Sequence, residues 1–414
     1  MSERRVVITG IGAVTPIGAG VEGLWTGLQA CRSAVRTLSR FDPEPYRSHM
    51  AAEVNDFDPV AFLGARRVKR LDRATQFALA SGRMAVEDAG LAMETEDRDR
   101  IGVMMGTALG GMTLAEEQHV KYRLGGLKAV DPGIALTVFA GASSCNLAIE
   151  YGITGPNITN GMSCASGAIG IGEAFRTIQR DEADVMLAGG AEAPLAPLTY
   201  GAFAIIRAMS ARNDDPSTAS RPFDEARDGF VMAEGAAVLV LEERSRAVAR
   251  GAQIYAEITG YGLTNDAHHM AAPRPDGSQA ARAMKIALRT AHVEPNDIDY
   301  VNTHGSSTPL NDPTETMAIK QVFGERAGKL QLSGTKGYYG HALGASGAIE
   351  AAICALATTR RWLPPTLNLA TPDPACDLDY LPGRGVTADP EFMLSNSFGF
   401  GGINAALVFR RHEE

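Results

Sequence analysis

The 414-residue sequence has few cysteines and no long apolar run, and each shortage argues against a class of protein. The five cysteines are odd in number, far apart and without CxxC spacing, so neither a disulfide framework nor a zinc site is expected, and a reducing cytoplasm fits. They are Cys31, Cys145, Cys164, Cys354 and Cys376. No window approaches 18 consecutive apolar residues, so we expect no transmembrane helix and no membrane partner.

Basic charge is also in short supply, with 39 Lys and Arg against 48 Asp and Glu. The net charge of −9 argues against nucleic acid as the main partner. The N-terminal MSERRVVITGIGAVTPIG lacks an extended apolar region and an Ala-x-Ala site. It therefore predicts a first β-strand rather than a signal peptide.

What the sequence does contain is a weak internal repeat. The segments ITGIG (8–12) and ITGYG (258–262) each open a strand-like run, followed by an alanine-rich amphipathic helix and a short apolar strand. This order predicts an α/β protein with two duplicated halves and mostly parallel sheets, residues 1–250 and 251–414, joined near 245–256.

Further elements follow from the same patterns. We predict strands at 184–192, 329–335, 392–399 and 403–409. The helices after Cys164 and His341 have small residues on their inner faces, so they are expected to pack closely as a central layer. The polar, turn-rich segment 207–235 is longer than a loop that only connects two elements, and we interpret it as a functional loop.

The strongest chemical signal is Cys164 in NGMSCASGAIGIGEAF. A free cysteine is usually a buried structural thiol. Here small residues on both sides predict a sharp strand–turn–helix elbow that leaves the sulfur at a helix N-terminus. We expect the helix dipole and the unpaired N–H groups there to favour thiolate and to hold an oxyanion. The other four cysteines lack this setting and are interpreted as structural.

Two histidines, His304 in YVNTHGSSTP and His341 in TKGYYGHALGASG, lie at strand or helix ends bordered by glycine. Side chains at such ends project into clefts. A helix N-terminus disfavours imidazolium, so His341 is expected to be neutral and to donate hydrogen bonds. Metal ligation is discounted, because no carboxylate or third histidine stands at ligand spacing.

Three further features accompany these residues. Lys336 and Glu350 lie among small and apolar residues, where charges are rarely buried unless paired, so we predict a contact between them. NSFGFGGINA predicts a glycine-rich turn carrying Phe400, either a gate or a core plug. In ARRVKRLDRATQ, the spacing of Arg66, Lys69, Arg70 and Arg73 predicts one basic helix face that would suit an acidic protein partner.

Together these motifs resemble the elongating β-ketoacyl-acyl-carrier-protein synthases, most closely synthase II of bacterial fatty-acid synthesis. The resemblance runs from VVITGIGAVTPIG through DEADVMLAGGAE, SRPFDEARDGFVMAEGA and NTHGSSTPLND to TKGYYGHALGASGAIE and NSFGFGGINA. It implies a thiolase-like α/β fold with two duplicated halves in five layers (α-β-α-β-α). It also implies an acyltransferase that condenses a cysteine-bound acyl group with malonyl-acyl-carrier protein.

The resemblance also implies residue roles. Cys164 matches the acyl-accepting nucleophile, and His304 and His341 match the pair that promotes decarboxylation. Lys336 matches the lysine beside the second histidine, with Glu350 as its partner, and Phe400 matches a gate whose N–H joins that of Cys164 in an oxyanion hole. Ser306 and Thr308 match the pantetheine tunnel, and Leu109 and Ile134 the acyl pocket. Arg66, Lys69, Arg70 and Arg207 match basic positions that meet the carrier protein.

The implied partners are an acyl carrier protein and a second copy of the chain, with a chain-length-factor-like subunit as the alternative. No metal or cofactor is implied beyond the carrier's phosphopantetheine. The sequence departs from synthase II at Ser163, at residues 337–339, at Gly133 and Ile134, and at Ile403. These departures leave open a ketosynthase of a dedicated type II polyketide or polyene pathway.

Three related classes fit less well. Non-catalytic chain-length-factor subunits lack the cysteine, whereas this chain has Cys164. Thiolases use a second cysteine near the C-terminus, and this chain has none after Cys376. Initiating synthases use Cys-His-Asn, which His341 argues against.

Overall fold

The computed structural model describes residues 4–413, in which helices and strands alternate along most of the chain. The strands are β1 Val6–Thr15, β2 Gly18–Ala19, β3 Arg36–Thr37, β4 Met50–Ala51, β5 Ile101–Gly106, β6 Asn157–Asn160, β7 Val185–Glu192, β8 Gly235–Glu243, β9 Ala256–Asn265, β10 Ile298–Asn302, β11 Gln331–Ser333, β12 Trp362–Leu363, β13 Val386–Thr387, β14 Phe392–Gly399 and β15 Ile403–Arg410. The helices are α1 Gly20–Gln29, α2 Pro59–Leu63, α3 Ala65–Val68, α4 Arg73–Asp88, α5 Met112–Gly125, α6 Ile134–Thr137, α7 Ala142–Tyr151, α8 Ser166–Gln179, α9 Pro197–Ile205, α10 Arg244–Ala249, α11 Ser278–Ala291, α12 Asn311–Phe323, α13 Lys336–Tyr339 and α14 Ser346–Arg360. Residues 1–3, which open the segment predicted as the first strand, lie outside the described residues.

The main sheet consists of two half-sheets with the same topology. In the first, the order is β1-β8-β7-β5-β6, and in the second it is β9-β15-β14-β10-β11. Both begin with two antiparallel pairings and end with two parallel ones. The duplication predicted from ITGIG and ITGYG is therefore confirmed in the strand order. The prediction of mostly parallel sheets is wrong, because half of these pairings are antiparallel.

The half-sheets meet where β1 pairs with β9, the first strand of each half. The pairing is antiparallel, with Val6 opposite Ile258 and Ile8 opposite Ala256. Both strands are apolar at these positions and buried, as expected for strands covered on both faces. The join makes one continuous sheet of the two halves.

Helices complete a layered architecture around the sheet. Helices α4 and α7 cover the outer face of the first half-sheet, α11 and α12 cover that of the second, and α8 and α14 lie between them. A Cβ atom at Gly167 of α8 would lie 2.9 Å from the backbone nitrogen of Ala348 in α14, so only small residues permit this approach. The predicted central layer is confirmed.

Both central helices begin at the same place in the molecule. A single 3₁₀ turn, Ser163–Ala165, leads into α8, and another, Leu343–Ala345, leads into α14. The two turns contact each other, so the N-termini of both helices converge on one point. Within residues 4–413, no helix combines the length and the apolar character that crossing a bilayer requires.

Candidate active site

Cys164 lies in the 3₁₀ turn between β6 and α8, so the predicted strand–turn–helix elbow is confirmed. Ser163, immediately before it, has a φ of 50°, a left-handed conformation that costs energy for a residue with a side chain. The Oγ of Ser166 donates to the carbonyl oxygen of Ser163 at 2.6 Å and stabilises the turn. The thiol is thereby held at the start of α8.

The expectation that this setting favours thiolate is wrong for the resting protein. Burial raises the pKa of the Cys164 thiol to about 12. The positive charge of Lys336 and the backbone N–H groups of Phe400 and Cys164 act in the opposite direction but do not outweigh it. The helix terminus was visible in the sequence, whereas the closure of the surrounding site was not. The sulfur is a thiol at rest.

His304 follows β10 in a turn that a buried carboxylate holds. The two oxygens of Glu315, on α12, accept the backbone N–H groups of His304 at 2.8 Å and Gly305 at 2.9 Å. Burial raises the pKa of Glu315 to about 7, and these two donors oppose the rise. The sequence analysis missed Glu315. Its one signal was a glutamate on the apolar side of the helix after NTHGSSTP.

His341 is held through both its backbone and its ring. Its N–H donates to the carbonyl oxygen of Val231 at 2.7 Å, and its own carbonyl accepts from Ala233 at 3.0 Å. The ring nitrogen Nδ1 lies 2.8 Å from the Oγ of Ser346, the first residue of α14. Segment 207–235, interpreted from sequence as a functional loop, thus supplies the backbone that fixes this histidine.

The two imidazole rings face each other with centroids 5.3 Å apart and planes 80° apart. Burial lowers the pKa of both His304 and His341 well below 6.5, and the positive charge of Lys336 lowers both further. Both rings are therefore neutral at physiological pH. The neutrality predicted for His341 is confirmed, although its main cause is burial rather than a helix dipole.

Lys336 and Glu350 form the predicted buried pair. The Nζ of Lys336 donates to the Oε1 of Glu350 and to the carbonyl oxygen of His304. It also lies 3.5 Å from the Nδ1 of His304. An ammonium group can only donate, so this contact favours the tautomer of His304 that carries its proton on Nε2.

Phe400 lies in the turn between β14 and β15, next to Cys164. Its backbone N–H faces the Cys164 thiol and acts to lower the pKa of that thiol. Its ring stacks on that of Phe203, with centroids 6.2 Å apart and planes 17° apart. The adjacent Gly401 and Gly402 have φ values of 87° and 78°, which favour glycine and permit the tight turn.

One cavity of about 400 Å³ brings half of the predicted site residues together. The predicted residues that line it are Cys164, Arg207, His304, Ser306, Thr308, His341 and Phe400. The hydroxyl groups of Ser306 and Thr308 lie 2.9 Å apart within it. Arg207 is exposed, which sets it on the solvent side of the cavity.

The two residues predicted at the acyl pocket have separate locations. Leu109 packs against the apolar cluster that contains Cys164 and Leu343. Ile134 instead lines a different cavity, together with Lys69 and Arg70. Within one chain, Ile134 therefore does not share a cavity with Cys164.

The predicted basic face is only partly present. The helix is interrupted between α3, which ends at Val68, and α4, which begins at Arg73, so ARRVKRLDRATQ is not one helix. Arg73 turns inward to Glu234, with Nε 2.7 Å from Oε2, because that buried carboxylate requires a partner. Arg66, Lys69 and Arg70 remain exposed.

Comparisons with known proteins agree with this geometry. Residues 3–247 match the N-terminal domain of β-ketoacyl synthases, and residues 255–370 match the C-terminal domain. A 3-oxoacyl-[acyl-carrier-protein] synthase 2 from Synechocystis sp. is 45% identical over 413 residues, covering 100% of this chain and 99% of that protein.

Two solved structures are similar over the full length of both chains. One is the AntDE:AntF complex, a type II PKS acyl-carrier protein with its ketosynthase bound to the hexaketide, with a TM-score of 0.93 and 35% identity. The other is the ishigamide ketosynthase/chain length factor, with a TM-score of 0.93 and 36% identity. Each match covers 100% of both chains.

Proposed function

Because the chain belongs to the β-ketoacyl synthase family, we propose that it catalyses a decarboxylative Claisen condensation in fatty-acid elongation. An acyl group carried on Cys164 is joined to malonyl-acyl-carrier protein, giving a β-ketoacyl-carrier protein two carbons longer. One observation carries this assignment: a thiol, two neutral imidazoles and the Phe400 N–H meet in a single cavity.

The first step loads the enzyme. The sulfur of Cys164 attacks the thioester carbonyl, the bond from that carbon to the carrier sulfur breaks, and the carrier leaves as a thiol. Because Cys164 is a thiol at rest, its proton leaves as the sulfur attacks and ends on the departing carrier. The N–H groups of Cys164 and Phe400 stabilise the oxyanion that forms on the way.

The second step makes the carbon nucleophile. We assign the ring proton of each histidine to Nε2, with the Ser346 hydroxyl donating to the Nδ1 of His341. His304 and His341 then donate to the malonyl thioester oxygen. The bond to the carboxylate breaks, its electron pair forms the enolate, and CO₂ leaves. A donor of this kind contributes roughly 100- to 1,000-fold in rate.

The third step forms the new carbon–carbon bond. The enolate carbon attacks the carbonyl of acyl-Cys164, and the N–H groups of Cys164 and Phe400 stabilise the second oxyanion. The bond from that carbon to the Cys164 sulfur then breaks, and the thiolate takes up a proton. No redox cofactor is needed, since no electron is gained or lost overall. We propose that the reaction also needs no metal and that it takes place in the cytoplasm.

We propose an acyl carrier protein as the partner that delivers both substrates. Arg66, Lys69 and Arg70 are exposed and form no ion pair within residues 4–413, and the same holds for Arg207 beside the cavity. Unpaired exposed cations suit a partner with an acidic surface, whose encounter they would steer. Ser306 and Thr308 line the cavity that the pantetheine arm would enter.

Reversing charge at the docking face, with Arg66→Glu and Lys69→Glu together, should lower kcat/KM for a carrier-bound substrate by about tenfold or more at low salt. Turnover of a short pantetheine thioester should change little, because a substrate without a carrier does not need this face. The matched control is Lys285→Glu with Arg289→Glu, two exposed cations on α11. Equal losses on both substrates would exclude a docking role.

We also propose that the chain acts as a homodimer through the edge of the first half-sheet. Among the described residues, β6 pairs only with β5, so its other edge is open to a second chain. Large apolar side chains are exposed near it, among them Phe139, Ile149 and Ile158. A second chain there would cover this surface and could bring Ile134 to the partner's acyl pocket.

A dedicated type II polyketide or polyene pathway is the second candidate. Gly133 and Ile134 stand where synthase II often has two phenylalanines, and smaller side chains there would leave room for a different acyl chain. Under this candidate, a chain-length-factor-like subunit replaces the second copy.

One experiment tests the function and separates the two pathways. The protein is incubated with a series of acyl-carrier proteins, and the mass of the adduct on Cys164 is measured. Malonyl-carrier is then added and the β-ketoacyl product identified. Saturated chains accepted over several lengths indicate fatty-acid elongation, whereas selective loading of unsaturated or β-ketoacyl chains indicates the second candidate. No adduct on Cys164 with any carrier would exclude both.

A further inference from the structure

A buried carboxylate without a part in the condensation chemistry lies at the end of β7. Glu192 is fully buried, and no ion pair with it is found among residues 4–413. Its Oε1 accepts from the Thr107 hydroxyl at 3.1 Å and the Leu109 N–H at 3.2 Å. Its Oε2 accepts from the N–H groups of Ala108 at 2.6 Å and Gly344 at 3.0 Å. Four donors from two distant segments therefore meet on one side chain.

The first segment, residues 107–109, packs beside Cys164. It follows β5 directly and carries Leu109 into the apolar cluster that contains Cys164. The carbonyl oxygen of Thr107 accepts from the Oγ of Ser166 at 3.0 Å, which links this segment to the first residue of α8. Moving this segment would shift the packing of Leu109 against that cluster.

The second segment is the 3₁₀ turn Leu343–Ala345, which lies between His341 and Ser346. Since Ser346 holds the ring of His341, the turn determines where that ring points. A Cβ atom at Gly344 would lie 2.4 Å from the backbone nitrogen of Ala108, so the two segments are in direct contact. Hydrogen bonds to Glu192 join the two segments across that contact.

The pKa of the Cys164 thiol shows that the side chain of Glu192 lies close enough to affect it. Burial raises the pKa of Glu192 to about 7, and the hydrogen bonds from both segments oppose the rise. The charge of Glu192 in turn contributes to the raised pKa of Cys164. The carboxylate is thus near enough to affect the sulfur without lining the cavity.

We propose that Glu192 is a positioning residue that fixes residues 107–109 and the 3₁₀ turn Leu343–Ala345 relative to each other. The acyl group on Cys164 then lies where the enolate held by His341 reaches it. This inference rests on the proposed condensation function. A displacement of about 1 Å between reacting groups costs roughly 100-fold in rate. We expect an effect of that size when Glu192 no longer holds the two segments together.

The test is Glu192→Gln, which keeps the size of the side chain. An amide has only one acceptor oxygen, and its NH₂ group would face N–H donors. The hydrogen bonds that one of the two carboxylate oxygens accepts are therefore lost. We expect kcat for condensation to fall roughly 10- to 100-fold with KM for malonyl-carrier nearly unchanged, because the docking face is untouched. Cys164 should also alkylate faster with iodoacetamide at pH 8, because a nearby negative charge is gone.

The matched control is Glu242→Gln, which removes another fully buried carboxylate. Glu242 pairs with Val185 across β8 and β7, at the opposite end of β7 from Glu192, about 23 Å away along the strand. Glu242 forms ion pairs with Arg246 and Arg250, and it contacts no residue of the candidate site. We expect a lower melting temperature, unchanged kcat and unchanged alkylation of Cys164.

Each outcome has a distinct meaning. If the wild-type protein forms no β-ketoacyl product, the proposed function fails. If it does and Glu192→Gln condenses equally well, only the positioning role fails. If the Gln variant does not accumulate as folded protein, Glu192→Asp replaces it, because the shorter side chain keeps the charge but cannot reach both segments. A wild-type kcat in that variant overturns the role, and a reduced kcat with unchanged KM supports it.

Discussion

Replacing Cys164 with alanine should abolish condensation, by at least about 1,000-fold, while malonyl-carrier protein still loses CO₂. The variant lacks the sulfur that carries the acyl group, so the enolate has no partner to attack. Its two imidazoles and their supports are unchanged, and decarboxylation depends on them. Two measurements on one preparation check this: release of CO₂ from labelled malonyl-carrier, and formation of the β-ketoacyl product.

A suitable control is Cys376→Ala, which removes another buried cysteine that lies outside the cavity. Both activities should persist in it, with a modest loss of stability from the space left in the core. Unchanged condensation in Cys164→Ala would refute the assignment of the nucleophile. Loss of both activities in Cys164→Ala would instead contradict the separation of acyl transfer from decarboxylation.

The second large effect is expected at the buried ion pair. Lys336→Met keeps the aliphatic stem but leaves Glu350 buried without its ammonium partner, which should lower the free energy of unfolding by about 3–5 kcal/mol. Condensation should fall as well, since the amine that contacts the carbonyl and ring of His304 is lost. Urea unfolding monitored by circular dichroism measures the first effect.

The deficit should also depend on pH. Burial raises the pKa of Glu350 from its ordinary 4.5 to about 7, and Lys336 opposes that rise. Without Lys336 the folded-state pKa is higher still, so the folded variant holds a proton that the unfolded chain releases above pH 4.5. Its stability therefore falls as pH rises from about 4.5 through the folded-state pKa, and the deficit should be larger at pH 8 than at pH 6.

The double variant Lys336→Met with Glu350→Gln separates stability from activity. Removing both charges should restore much of the lost stability, because no uncompensated ion stays buried. Condensation should stay low, since the contact with His304 is still missing. A deficit in Lys336→Met that is equal at pH 6 and pH 8 would show that Glu350 is not the group that responds.

The sequence alone indicated Cys164, both histidines and the buried pair as the residues to examine, because each has a local signature. Glycine and small residues around Cys164, His304 and His341 indicated turns at the ends of elements. Lysine and glutamate among apolar neighbours indicated a pair. These signals depend on a few adjacent residues, so they can be recognised without knowledge of the tertiary structure.

Glu315 and Glu192 could not be identified in the same way. Their partners are mostly backbone N–H groups, which every residue has, and for Glu192 those groups lie about 80 and 150 positions away in sequence. The pKa of Cys164 depends on how completely the site closes, which is likewise a property of the whole fold. Arg73 was misassigned because helical spacing gave no indication of Glu234.

The antiparallel pairing of β1 with β9 has an evolutionary consequence. Equivalent strands that pair antiparallel are related by a local twofold axis, as in a symmetric dimer of identical subunits. The contact between the two 3₁₀ turns has the same relationship, with the thiol supplied from one side and the imidazoles from the other. An ancestor half as long would have needed to associate with its own copy to form such a catalytic centre. In the single chain the two halves differ, since the first carries the thiol of Cys164 and the second carries both imidazoles.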